Sequence, residues 1–265
     1  MQSPINLDNA LKVAKDAAHA AGEVLLSYYT SRYEVYEKAR DNPVTTADLE
    51  ANEVLHEALT SAFPQAGWLS EESVDDAQRI QKEWLWVVDP LDGTKEFIDG
   101  IDEFAVSIGL VHEHRPVLAV TFNPAANIRV HCIEGSGTFA NDVRVAVTQR
   151  DTLTGATVLS SRSETKRGLF EPFKDTLDVR PTGSVAHKLA QVASGQGDIT
   201  FSLAPKNEWD ICAGVLLAQE AGAMVTDLSG DPFRFNQAKT LRNGVIAASK
   251  RLYPDLLALI RAKTG

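Results

Sequence analysis

Trp86-Val87-Val88-Asp89-Pro90-Leu91-Asp92-Gly93-Thr94-Lys95-Glu96-Phe97 places two carboxylates, a proline and a glycine turn directly after an apolar run. Trp84 to Val88 is rich in aromatic and β-branched residues and predicts a buried strand. Pro90 has no amide donor for a ladder, so the strand is expected to end there. Asp89 and Asp92 then curl toward one point with the Leu91 carbonyl between them, Gly93 supplies a turn, and Thr94 to Phe97 opens a helix. Hard oxygen ligands lie beside backbone N–H groups suited to an anion, which reads as a metal-and-phosphate site. Each residue alone has a plainer explanation: Asp92 before Gly93-Thr94 makes a good helix N-cap, and Asp-Gly is a common turn pair.

Outward from this stretch, Leu7 to Tyr29 carries apolar residues at helical spacing and predicts a long amphipathic helix. A second helix is expected from Thr45 or Thr46, through Leu49, Val54, Leu55 and Leu59, stopping before Pro64. On the other side, Phe104 to Val111, Pro116 to Phe122 and Ile128 to Ile133 alternate as three strands of an antiparallel meander, with turns at His112-Glu113-His114-Arg115 and Asn123-Pro124-Ala125-Ala126-Asn127. After Arg150 the pattern is mixed. Strands are expected at Thr157 to Ser160 and Ile199 to Leu203, and helices at Ser184 to Ala193, Asp210 to Ala221 and Tyr253 to Ala262. The softest division is Val147 to Gly155, separating an N-terminal α/β half, 1–150, from a C-terminal α/β half, 151–265. The fold class is mixed α/β (α+β), with helices covering two sheet layers.

With 265 residues and 44% hydrophobic content, the chain can bury a large core as one domain or two intimately packed halves. A net charge of −10 argues against binding a nucleic-acid polymer, which calls for a basic face. No apolar run approaches a bilayer span, and Met1 to Asn9 lacks a basic region followed by an apolar one, so no membrane role and a cytoplasmic location are expected. Cys132 and Cys212 are too few for a disulfide framework and are read as small buried hydrophobes. Trp68, Trp84 and Trp86 are read as core aromatics.

Other motifs fail on context. Gly135-Ser136-Gly137-Thr138-Phe139-Ala140 matches a dinucleotide fingerprint, yet Val143 to Val147 alternates like a strand where a helix should open. His112 and His114 fall in what reads as a solvated hairpin turn. Neither a His-Glu-x-x-His metal motif nor a serine-hydrolase elbow is present.

Five segments in order carry a resemblance: Asn42-Pro43-Val44-Thr45-Thr46-Ala47-Asp48, Ser70-Glu71-Glu72-Ser73, Asp89 to Phe97, Thr182-Gly183-Ser184, and Trp209-Asp210-Ile211-Cys212-Ala213-Gly214 running to Glu220-Ala221-Gly222. Together they resemble the inositol monophosphatase superfamily of magnesium-dependent phosphatases. Gly93-Thr94-Lys95-Glu96-Phe97 is more similar to the bacterial 3′(2′),5′-bisphosphate nucleotidases than to inositol monophosphatases, which usually have Thr-Asn where Lys95-Glu96 stands. The resemblance implies the layered αβαβα sugar-phosphatase fold shared with fructose-1,6-bisphosphatase, two or three Mg²⁺ ions and a homodimer. It also implies metal ligation by Glu71, Asp89, the Leu91 carbonyl, Asp92 and Asp210, with Asp48, Glu71 and Thr94 positioning the attacking water. Plainer readings stand beside these. Thr45 with Asp48 fits a helix capping pattern, Asp210 stabilises the start of a helix, and Glu71-Glu72 is an exposed loop pair.

Phosphomonoester hydrolysis needs such a set: charge must be cancelled on a phosphate dianion, a water acidified and a leaving alkoxide stabilised. The all-oxygen donors suit Mg²⁺ better than zinc, and backbone amides of Gly93, Thr94 and Lys95 would meet the phosphate. Water would attack in line without a phosphoenzyme. Around the leaving group the expected contacts are Gly183, Ser184, His187, Lys206 and Glu208. Inositol monophosphatases typically place an acidic residue several positions before Trp-Asp, whereas Phe201-Ser202-Leu203-Ala204-Pro205-Lys206-Asn207 has none. Lys206 would favour a second phosphate, or be a solvated loop lysine. The small-molecule substrate is therefore read as adenosine 3′,5′-bisphosphate, ahead of inositol monophosphate and sugar bisphosphates. A metal-dependent phosphate-binding regulator without turnover should lack a water-positioning group, and Asp48, Glu71 and Thr94 are all present. A structural scaffold using these acids only as caps ranks last.

Overall fold

The structure, a computed structural model, describes residues 4–29, 33–39 and 42–264, so the first three residues of the Met1 to Asn9 stretch lie outside the described residues. In chain order the N-terminal part forms α1 (Leu7–Tyr29), β1 (Val35–Ala39), β2 (Asn42–Thr45), α2 (Thr46–Ala62), β3 (Gly67–Ser70), β4 (Trp84–Asp92), α3 (Thr94–Ile98), β5 (Ala105–His112), β6 (Arg115–Asn123), β7 (Ile128–Ile133), β8 (Thr138–Ala140) and β9 (Val143–Val145). The remainder forms β10 (Ala156–Ser161), α4 (Arg162–Lys166), β11 (Leu177–Thr182), α5 (Val185–Ala193), β12 (Ile199–Ser202), β13 (Lys206–Asn207), α6 (Glu208–Glu220), β14 (Ala223–Thr226), β15 (Leu241–Arg242), β16 (Val245–Ser249) and α7 (Tyr253–Thr264).

Side-chain alternation along β4 sets the layering. Trp84, Trp86 and Val88 join the apolar cluster of α1 and α2, while Leu85 and Val87 join the cluster of α5 and α6. Both faces of the sheet ordered β3-β4-β5-β6-β7-β8-β9 are thus covered, which is why β4 reads as a continuous apolar run rather than an alternating one. The second sheet, β11-β10-β12-β16-β14, packs Leu159, Val225 and Ala247 against α5 and α6, and turns Val158, Phe201 and Ala248 toward Leu256 and Ile260 of α7. The layers run helix, sheet, helix, sheet, helix, giving the αβαβα arrangement. Being sandwiched, α6 buries Ile211 through Ala218 without a polar face. The two larger sheets draw on residues 67–145 and 156–249 respectively, yet α5 and α6 from the later part fill the layer between them.

The long helix, the second helix and the three-strand meander match their expected spans closely. Pro90 does not end the strand. β4 continues to Asp92 through an irregularity, with Asp89 paired to Ser107 and Asp92 to Ala105. The neighbouring β3 pairs only as far as Val88, so beyond it one edge of β4 is open and the missing Pro90 amide leaves no ladder bond unmade. The β5–β6 turn is also less solvated than expected: His112 stacks on Trp84 at 4.1 Å, and a ring nitrogen of His114 lies 2.9 Å from the Phe235 carbonyl. Trp84 and Trp86 are buried, whereas Trp68 is half-buried and donates its indole N–H to Ser73. Both cysteines are buried. The rejected dinucleotide fingerprint ends in β8, and its glycine amides, Gly135 and Gly137, donate to Glu220. No helix among the described residues is long and apolar enough to cross a membrane.

Candidate functional site

Three chain segments bring carboxylates to one point. Glu71 is the first residue past β3, and its amide donates to the Val88 carbonyl at 3.3 Å, tying it to β4. Asp89 follows on β4, on the face turned toward α6. Asp210 stands in the first turn of α6, where its carboxylate accepts the Asn207 amide at 2.8 Å. One carboxylate oxygen each from Glu71, Asp89 and Asp210 lie within 4.8 Å of one another. Asp92 is beside them, but it caps no helix of its own: it accepts the Ser184 hydroxyl at 2.6 Å and the Ala186 amide at 2.5 Å, anchoring the start of α5.

Electrostatically the cluster sets buried acids against one another. Burial, then the charges of Glu71, Asp92 and Asp210, push the Asp89 carboxyl well above its ordinary range. Burial, then Asp92 and Glu71, raise Asp210 to about 8. Asp92 is raised by burial even though Ser184, Ala186 and Lys188 act to lower it. Desolvated acids this close do not all ionise without a positive partner. The donors are all oxygens, with the Leu91 carbonyl adjacent, and this chemistry fits a hard cation such as Mg²⁺.

Asp48 carries both meanings read from the sequence. It completes a capping box with Thr45, whose amide and hydroxyl donate to one carboxylate oxygen at 2.7 and 2.6 Å. Its other oxygen accepts the Thr94 hydroxyl at 3.0 Å, across 46 residues of sequence. Thr94 also lies 3.1 Å from the Leu91 carbonyl, so its single proton is directed between two acceptors. Gly93 permits the approach: its φ of +100° is left-handed, and a Cβ there would meet the Glu103 carbonyl at 2.9 Å.

Part of this set borders a cleft of about 260 Å³ at the ends of the two larger sheets, whose lining includes neither Asp48 nor Asp89. Glu71 and Leu91 through Glu96 line it from one side, and Ser161 to Ser163, Thr182 to Val185, Lys188, Lys206 and Asp210 from the other. Gly183, Ser184, Lys95 and Lys206 line this cleft, with the Gly183 amide donating to Glu103 at 2.7 Å. Two expected contacts are displaced. His187 lies outside the cleft lining, in α5 against a separate small cavity beside Thr121 and Asn123. Glu208 is fully buried, its carboxylate taken by the amides of Asn236 and Gln237 and by Arg242. Glu208 stands two positions before Asp210 in α6, and residues so spaced on a helix face different ways.

Lys188 and Arg162 were missed. Lys188 is buried, donates to the Thr182 and Ser184 carbonyls, and is lowered by burial to about 8. A lysine inside an otherwise apolar helix was the available signal. Arg162 pairs with Glu103 at 2.7 Å; only its place after a predicted strand hinted at it.

A family model described as the inositol monophosphatase family matches residues 6–264. An inositol monophosphatase of Mesembryanthemum crystallinum is 30% identical, the match covering 96% of each chain. The 3′(2′),5′-bisphosphate nucleotidase CysQ of Escherichia coli (strain K12) is 33% identical over 89% of this chain and 96% of its own. Among solved structures, the extragenic suppressor protein SuhB of Bartonella henselae superposes with a TM-score of 0.85 at 30% identity, covering 94% of this chain and 97% of its own.

Proposed function

We propose a specific reaction for this chain, which belongs to the inositol monophosphatase family and is a phosphoric monoester hydrolase: Mg²⁺-dependent hydrolysis of adenosine 3′,5′-bisphosphate to AMP and phosphate. The observation that carries the metal chemistry is the convergence of Glu71, Asp89 and Asp210 within 4.8 Å. Glu71, Asp89, the Leu91 carbonyl, Asp92 and Asp210 would hold the ions. Bound Mg²⁺ supplies charge neutralisation, a more acidic water and stabilisation of the leaving oxygen.

The chain's own groups do the positioning. The Asp48 carboxylate and the Leu91 carbonyl share the Thr94 proton, leaving Thr94 lone pairs to accept from the attacking water, with Glu71 beside it. The amides of Gly93, Thr94 and Lys95 open α3 and have no carbonyl one turn back to bond, so they are available to the phosphate. Lys206 on the cleft wall would supply positive charge for a second phosphate, which supports the bisphosphate over a monophosphate. Inositol 1-phosphate is the second reading, favoured by the plant relative's coverage of 96%.

The test is phosphate release at one Mg²⁺ concentration from adenosine 3′,5′-bisphosphate, inositol 1-phosphate and fructose 1,6-bisphosphate. A higher kcat/KM for the nucleotide is expected. Equal efficiencies would remove the nucleotide reading, and no release from any ester would favour a binding regulator. A homodimer is carried over from the resemblance; light scattering measures the oligomer.

A further inference from the structure

Arg79 is 2% exposed, and nothing in the cleft chemistry uses it. Burying a guanidinium is costly, and apolar side chains of similar volume often stabilise as well or better. Its contacts suggest what it does instead. The guanidinium grips Asp75 with two bonds, of 2.5 and 2.9 Å, and reaches the Asn236 side-chain oxygen at 2.9 Å and the Gln237 carbonyl at 3.1 Å. The Asn236 amide group returns bonds to the carbonyls of Arg79 at 3.1 Å and Lys82 at 3.4 Å. Through its backbone N–H, Asn236 donates to Glu208 at 2.7 Å, and Gln237 does the same at 3.1 Å.

The ends of this chain of bonds are informative. Asp75 lies four residues after Glu71, and Lys82 leads directly into β4, which bears Asp89 and Asp92. Glu208 lies two residues before Asp210 in the first turn of α6. Asn236 is 4% exposed and holds a left-handed φ of +58°, a conformation that asparagine accepts more readily than most residues. A loop from the C-terminal part is therefore pinned between the segment joining Glu71 to β4 and the helix start carrying Asp210.

We propose that Arg79 and Asn236 are positioning residues, which with Glu208 fix the Glu71 loop and β4 against Asp210 and so set the spacing of the carboxylate cluster. The proposal rests on reading that cluster as the Mg²⁺ site. Partners outside the ligand set commonly tune metal affinity or activity by 10- to 100-fold.

Mg²⁺ binding is measured by calorimetry on the full-length protein for wild type, Arg79→Met, Asn236→Ala, Asn236→Asp and Glu71→Gln, with Ile260→Val as a control of altered packing beyond the second sheet. Arg79→Met keeps side-chain bulk, so its fold can survive loss of the charge. Arg79→Met and Asn236→Ala are each expected to weaken Mg²⁺ binding by about ten-fold, with KM for the phosphate ester at saturating Mg²⁺ unchanged. Asn236→Asp, which retains the acceptor for Arg79, is expected to recover part of the loss, and Ile260→Val to bind as wild type. Wild-type affinity in both folded variants, with Glu71→Gln impaired, would overturn the relay. Unchanged affinity in Glu71→Gln would overturn the metal reading beneath it. Losses equalled by Ile260→Val would also overturn the relay, by reducing it to general stability.

Discussion

In the proposed reaction, Thr94 and the three aspartates would divide the work between two kinds of group. Asp89, Asp92 and Asp210 contribute charge in a place where burial and mutual repulsion disfavour it. Thr94 contributes a hydroxyl, oriented by Asp48 at 3.0 Å. Replacing any of the three aspartates by asparagine removes ligand charge and should abolish Mg²⁺ binding and turnover while leaving the fold intact. Thr94→Ala should instead lose about 10²-fold in kcat, the scale of a preorganised polar group, and excess Mg²⁺ should not restore it. Steady-state kinetics against Mg²⁺ concentration separates the two, and recovery of Thr94→Ala at high Mg²⁺ would make Thr94 a mere support for ion binding. At this scale, Asp89, Asp92 and Asp210 were legible because short motifs kept them beside Pro90, Gly93 and Trp209. Lys188 and Arg162 had no such neighbours, and their role depends on which strands and helices meet.

Among the elements, α5 shows how a layer changes the chemistry of its residues. It lies between two sheets, and its His187 has a pKa lowered from 6.5 to about 4, by burial first and by Lys188 second. The unfolded chain then binds a proton through pH values at which the folded chain does not, so stability rises with pH across that window and is lost as pH falls from about 6.5 toward 4. His131 on β7, also lowered to about 4 by burial, acts in the same direction. Thermal unfolding between pH 7 and pH 4.5 should show this decline, and His187→Gln should flatten it. An identical slope in the variant would remove His187 from the account. The same layering explains which elements could be read in advance. Leu7–Tyr29 has a solvent face and a core face, and periodicity shows both. Val245–Ser249 is a short apolar run buried on two sides, and Ala223–Thr226 is shorter still, so that a strand and a helix fragment look alike in both. The end of β4 was misjudged for a different reason: proline rules presume a paired edge, and the edge beyond Val88 is open.

For the molecule as a whole, the decisive fact is where the middle layer comes from. The seven-stranded sheet ends before residue 146, yet Leu85, Val87, Val111 and Ala119 on its inner face pack with Ile211, Val215 and Leu189, which arrive more than sixty residues later. A division near Val147 to Gly155 therefore leaves one apolar cluster wholly before it and one wholly after, but cuts through the middle cluster that joins the two sheets. Asp210 follows the same route: it reaches Glu71 and Asp89 because α6 crosses under β4, β5 and β6. Residues 1–150 alone would expose the inner face of the sheet to water, losing the apolar burial that favours folding, and would lack one carboxylate of the cluster. The expected result is that fragments 1–150 and 151–265 show no cooperative thermal transition apart, and that co-expression restores both the transition and Mg²⁺-dependent phosphate release. A sharp melt from the isolated N-terminal fragment would mean that its sheet tolerates an uncovered face. The carboxylate site would then have been assembled by docking two finished domains, and its geometry would depend on their interface rather than on a shared core.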